Sequence, residues 1–286
     1  MKTDNTDKYA KNIVDDTVDQ LNVLPGICER NRVEAKRGLE IDNWLYMAIQ
    51  GVELMAVKLR HYHDIKGAQE ALGKAWWAAK KATEAFDYYE SFGELGASPI
   101  HRTAFPKGIA IAWLNRDWEL AEKFAGMTSS EELFFSSGEG DYGSLHEIIA
   151  YMFSAMVVGN SDDFSLWYAR YKQEAQREYD IGNEYWNQYF VYPAMMQALI
   201  DQNQSGFTKL LLQADQSFAA RGKDKTIKGL PTVDGPPGFN LLTIDYNATS
   251  LSLFALHRGM NIDFESPALP INTIHSWDLH KHGAKY

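Results

Sequence analysis

The residues whose types and spacing most resemble chemistry form Gly138-Glu-Gly140-Asp-Tyr-Gly143. This is a G-x-G-x-x-G run that leads into a predicted helix at Leu145, with Asp162 and Asp163 roughly 20 residues further on. In a dinucleotide-binding unit such glycines let the backbone approach a pyrophosphate at a helix N-terminus. Here Glu139 and Asp141 place carboxylates where the phosphate would sit, only Leu133-Phe-Phe135 precedes, and no strand follows the helix. The run therefore reads as an acidic loop, and no cofactor is expected. His146-Glu147 opens like a zinc-protease helix, but position 150, where a second ligand would stand, is Ala. His61 and His63 would face different sides of a helix. His275, His280 and His282 read as a solvated tail, since a structural metal needs a closed ligand set. No metal is expected. Neither a nucleophile elbow nor a phosphate loop occurs, and Cys28 carries no nucleophile signature, so it reads as a small buried side chain. The many carboxylates could supply a glycosidase-like pair, but no spacing singles out two of them. No catalytic residue is predicted.

Those residues belong to a chain of 286 with 45% apolar and 23% charged types, enough for a sizeable core and inconsistent with wholesale disorder. The formal net charge is −10, which weakens attraction for phosphate backbones and anionic lipid. Neither nucleic acid nor a membrane is an expected partner, whereas basic proteins are. The longest convincing uncharged apolar run, Ile148 to Ser161, has 14 residues, short of the ~18 that a span requires. The N-terminus lacks an apolar export segment, and one cysteine allows no intrachain disulfide, so a cytoplasmic location is expected.

The elements that must position any site are helical. From Asn43 to Arg60, Trp44, Leu45, Ala48, Ile49, Val52, Met55, Ala56 and Leu59 recur at three and four. Lys66 to Tyr89 carries Ala71, Ala75, Ala78, Ala82, Ala85 and Tyr89 on one stripe. Paired helices follow: Ile109–Leu114 with Trp118–Phe124, Tyr151–Val158 with Phe164–Ala175, and Ala194–Ile200 with Phe207–Phe218. Each pair turns on Asn and Asp residues, which suit both the turn and the following N-cap. The opening aromatics Trp118, Phe164 and Phe207 are 46 and 43 residues apart. That spacing predicts an all-α chain of stacked antiparallel hairpins, loosely solenoid or tetratricopeptide-like. Lys223 to Asn240, rich in Gly and Pro, predicts a loop; a last helix is expected over Leu241–Arg258, capped by Gly259, with an extended C-terminal tail. The chain reads as one domain, 1–286, with Gly93 to Pro99 as the weaker option for a division.

Three segments carry a family resemblance: Ala112-Trp-Leu-Asn-Arg-Asp-Trp-Glu-Leu-Ala-Glu-Lys-Phe124, Tyr192-Pro-Ala-Met-Met-Gln-Ala-Leu-Ile-Asp201 with Phe207, and Leu251 to Pro270 with its Arg258-Gly259 and terminal Leu269-Pro270. In this order and spacing, over roughly residues 100 to 270, they resemble the immunity protein 49 family of bacterial polymorphic-toxin and contact-delivered toxin systems. The resemblance implies a mostly helical protein that binds and neutralises a co-encoded toxin and has no enzymatic activity. It transfers no binding residues. The acidic excess suits a basic toxin such as a nuclease acting in the cytoplasm. The acidic residues Glu131, Glu132, Glu139, Asp141, Asp162 and Asp163 are the expected contact surface, weighed against an ordinary solvated face. A helical scaffold that binds peptides and a helical-barrel carbohydrate enzyme are the alternatives.

Overall fold

Good helix formers spaced at three and four dominate the chain, and the computed structural model answers them with helices throughout. It describes residues 3–33, 37–91, 105–128, 142–180, 191–221 and 243–279, and every regular element among them is helical. In order these are α1 (Thr3–Val33), α2 (Arg37–Arg60), α3 (Ile65–Ser91), α4 (Phe105–Leu114), α5 (Trp118–Thr128), α6 (Tyr142–Val157), α7 (Ser161–Asp180), α8 (Val191–Ile200), α9 (Gln204–Arg221), α10 (Tyr246–His257) and α11 (Ile271–His275). The class is all-α. Of the loop expected over Lys223 to Asn240 and the division expected at Gly93 to Pro99, every residue lies outside the described ones.

Sequence neighbours pack on one another: α1 on α2, α2 on α3, α4 on α5, α6 on α7, and α8 on α9. The alanine stripe of α3 explains its close approach to α2. Ala71, Ala75, Ala78, Ala82 and Ala85 are all buried, and a Cβ added at Gly51 would lie 2.9 Å from the Ala75 backbone nitrogen. Gly108 does the same for α4 and α5, where an added Cβ would meet the Phe124 ring at 2.6 Å.

One device builds the turns. Arg116, Gly159 and Gln202 adopt left-handed φ values of 57°, 73° and 52°. The next residue's N–H donates back to the carbonyl of Ala112, Ala155 or Ala198, closing the helix end. That next residue, Asp117, Asn160 or Asn203, then caps the following helix. Its Oδ1 accepts from the backbone N–H of Leu120, Asp163 or Gly206 at 3.0, 3.1 and 3.0 Å. His63 (φ 52°) and Asp64 repeat the pairing at the start of α3, with Gly67 N–H donating to Asp64 Oδ1 at 2.8 Å. The caps Asp117, Asn160 and Asn203 recur at 43 and 43 residues, a more even spacing than that of the opening aromatics. Phe164 and Phe207 are buried four residues after their caps, while the matching place after Asp117 is Ala121; Trp118 instead stands first in α5.

Beyond sequence neighbours, α10 packs on α4 and α8. Trp113 stacks on Phe254 with ring centroids 4.5 Å apart and lies 5.7 Å from Phe153, which joins α4, α10 and α6 in the core. Helix α10 starts at Tyr246, later than the expected Leu241, because Asp245 caps it by accepting from Ala248 N–H at 3.0 Å. Gly259 closes it at φ 85°, as expected. Residues 260–270 then run without regular structure, and the expected extended tail is interrupted by the single turn of α11. Gln204 pairs reciprocally with the Asn261 backbone at 2.6 and 2.9 Å, Ser266 donates to Asp215 at 2.5 Å, and the Arg116 guanidinium donates to the carbonyls of His275 and Trp277. Ile262, Leu269, Ile274, Trp277 and Leu279 are buried beneath these tethers.

Candidate functional site

Of the six acidic residues expected to contact a partner, Glu131, Glu132, Glu139 and Asp141 lie outside the described residues, as does the run from Gly138 to Asp141. Gly143, the last glycine of that run, stands inside α6. Asp162 and Asp163 are described. Both are exposed in the first turn of α7, where a negative charge offsets the partial positive charge of the helix end. Asp163 is also tied into the turn: its Oδ2 accepts from Asn160 Nδ2 at 2.6 Å while its N–H donates to Asn160 Oδ1. Asp163 therefore holds local structure, and both aspartates offer charge to solvent.

The described histidines do not converge. His61 lies 3.2 Å from Asp7 of α1, His63 occupies the left-handed turn position, and His275 is exposed on α11. The side chain of His146 and residues 280 and 282 are outside the described set. Among the described residues no three metal-ligating side chains gather. Cys28 is fully buried, and burial, with the nearby Glu40 carboxylate, pushes its thiol up to about 12, so it carries no thiolate near neutrality.

A buried polar cluster connects the first three helices. Glu40 on α2 is 1% exposed. It accepts from Arg32 Nε at 3.1 and 3.2 Å and Nη2 at 2.5 Å, from Trp44 Nε1 at 3.3 Å, and from the Tyr89 hydroxyl at 2.5 Å. Burial and the Glu40 carboxylate together push the Tyr89 hydroxyl well above its ordinary value. The hydrogen bond to Glu40 raises the Arg32 guanidinium further. With both carboxylate oxygens engaged and no exposed surface, Glu40 serves as a clamp for α1, α2 and α3 and offers nothing to a substrate. The sequence signal was an acid on the apolar stripe that continues through Trp44 and Ala48.

A second polar group lies where α1, α2 and α4 meet. Gln50 Nε2 donates to Glu53 Oε2 at 3.0 Å, and Thr17 donates to Gln50 Oε1 at 3.4 Å. Burial pushes the half-buried Glu53 carboxyl up, relieved in part by the Gln50 hydrogen bond and then the Lys107 charge, and pushes the half-buried Lys107 ammonium down, relieved in part by the charges of Asp42 and then Glu53. Perturbed groups of this kind occur in active sites and in structural networks alike.

The surfaces fall into contrasting types. Trp118 stacks on His257 at 3.9 Å, and Trp76 donates to Asp117 Oδ2 at 2.7 Å, so both rings belong to the packing around the α4–α5 turn. Of the tandem aromatics, Trp77 packs edge-on to Trp44 and Tyr89 is buried, while Tyr88 is exposed; Tyr185 and Trp186 lie outside the described residues. No described helix is long and apolar enough to cross a membrane. The chain matches no protein-family model, no curated protein and no solved structure.

Proposed function

We propose that this chain is an immunity-type binding protein that neutralises a cognate toxin by covering it, with acidic surface steering a basic partner into place. The reading rests on the resemblance to the immunity protein 49 family. The observation that supports it most is where the three resembling segments lie. Ala112 to Phe124 is the α4–α5 turn, Tyr192 to Asp201 with Phe207 spans α8 into α9, and Leu251 to Pro270 is α10 with the chain that follows. Helix α10 packs on both α4 and α8, so segments far apart in sequence meet in one body, as a family's structural motifs should. Blockage by a preformed helical surface needs no catalytic group. The charge of −10 and the exposed Asp162 and Asp163 suit a basic toxin, and like charge would exclude nucleic acid from the same surface.

The test is growth rescue. The product of the adjacent gene is expressed with this chain or with an empty vector. Toxicity of the neighbour alone, relieved by this chain, is the expected result; a toxic neighbour that this chain does not restrain refutes the reading. One observation favours a second reading, a helical-repeat scaffold for peptides: the capped turn that recurs every 43 residues. That reading calls for modest affinity towards several basic or extended peptides, where an immunity protein binds one partner tightly.

A further inference from the structure

We propose that the outer face of α1, with Tyr46 of α2, is a docking surface for a basic protein. The inference rests on the reading of the chain as a neutraliser of a basic partner. Helix α1 stands first in the packing order, with α2 beneath it. Its inner face is Ala10, Thr17, Leu21, Leu24 and Cys28, all buried. The opposite face carries Asp15, Asp19, Asn22 and Gly26 in exposed positions one turn apart.

Two features of that face point to an occupant. The first is uncovered apolar surface on an edge helix: Val23 is 57% exposed, Tyr46 45% and Val18 39%. Asp16, Gln20 and Val23 share the flank of α1 that borders Tyr46, whose hydroxyl donates to Gln20 Oε1 at 3.1 Å. That bond lays the ring along the seam between α1 and α2, so an aromatic anchor is held before a partner arrives. The second is charge. Between Lys11 and Arg30 the charged residues are Asp15, Asp16, Asp19 and Glu29, all acidic and all exposed. Asp15, Asp16 and Asp19 make no hydrogen bond or ion pair among the described residues. An apolar centre of Val23 and Tyr46 inside a carboxylate rim complements a protein surface of Lys and Arg around an apolar side chain, the usual make-up of a steered interface.

The test uses the full chain and the neighbouring gene's toxin. Asp15→Lys, Asp16→Lys and Asp19→Lys together are expected to slow association at least ~10-fold at low salt, with helical circular dichroism unchanged. Neutralising only Asp16→Asn and Asp19→Asn gives a milder, fold-safe version, with an expected loss of about 3-fold in association rate. Val23→Ala with Tyr46→Ala is expected to raise the dissociation rate ~10-fold or more, and Glu119→Lys with Glu122→Lys on α5 serves as a charge control. Amide exchange in residues 15–26 is expected to slow on complex formation. If the wild-type chain rescues and binds but the α1 variants match it, this surface is wrong and the neutralisation reading survives. If the wild-type chain neither rescues nor binds the toxin, both fall.

Discussion

Arg116 and Gln202 occupy equivalent places in two turns, both left-handed without being glycine, and replacing each by Gly separates backbone strain from side-chain tethering. A non-glycine residue in this region costs about 1–2 kcal/mol. Glycine removes that cost but loosens the unfolded chain by roughly 0.5–1 kcal/mol, leaving a net gain of about 0.5–1 kcal/mol. Gln202 is exposed and its side chain makes no hydrogen bond among the described residues, so Gln202→Gly should show that gain. Arg116→Gly obtains the same relief but loses two charge-assisted bonds, to the His275 and Trp277 carbonyls. Because the guanidinium is partly open to water, each is worth about 1 kcal/mol, below the usual range for charged hydrogen bonds. Arg116→Gly should therefore destabilise by about 1 kcal/mol, some 2 kcal/mol away from Gln202→Gly.

Urea unfolding followed by circular dichroism measures the difference. With a slope near 3 kcal/mol per molar, the two midpoints separate by roughly 0.6 M, and in opposite directions from wild type. Midpoints that move together would show that the 271–279 segment is held by its buried Ile274, Trp277 and Leu279 alone. The tethering argument would then be wrong.

Two further outcomes concern the buried groups. Glu40→Ala leaves the Tyr89 hydroxyl and Trp44 N–H buried without their acceptor and should cost about 3 kcal/mol. Glu40→Leu with Tyr89→Phe should recover much of that, and additive losses in thermal melts would argue against a coupled cluster. Cys28 has a folded-state value of about 12 against an ordinary 9.0, so between these the unfolded chain releases its thiol proton first. Stability is then fully present below pH 9 and falls above it, by up to about 1.4 kcal/mol per pH unit. Cys28→Ala should flatten that alkaline slope, and an unchanged slope would place its origin elsewhere.

Much of the fold was readable because the signals are local. The periodicity of α2, the alanine stripe of α3 and the Asn/Asp turns each depend on neighbours within a few positions, and α2, α3 and the paired helices appear where these patterns put them. The caps recur more evenly than the opening aromatics because a bulky residue fills core space wherever a helix begins, whereas a cap must stand at one place. The packing of α10 on α4 was not legible, since neither helix carries a mark of the other. Glu40 was overlooked for a related reason: its partners Arg32 and Tyr89 come from two other helices, and spacing alone does not reveal them. Of the expected contact residues only Asp162 and Asp163 are described, and the structure adds a bond from Asp163 to the α7 cap Asn160 that composition could not reveal.

That bond bears on how an acidic chain should be read. Net charge treats every carboxylate as available to a partner, yet many here are already engaged. Asp64, Asp117 and Asp245 cap helices, Asp163 is bonded to its own cap, Glu40 is buried on Arg32, and Glu265 accepts from the backbone and side chain of Thr273. Asp87 pairs with Lys123 and Glu84 with Lys81. Such groups shape the surface potential, but moving them costs structure, so a partner gains little by drawing on them. Asp162 on α7, the pair Glu119 and Glu122 on α5, and Asp263 after α10 are less engaged, but they are spread over three parts of the chain. On α1 three unengaged aspartates fall within five positions, beside Val23 and Tyr46. Steering needs charge that is free, close together and next to surface a partner can bury, and among the described residues α1 combines all three.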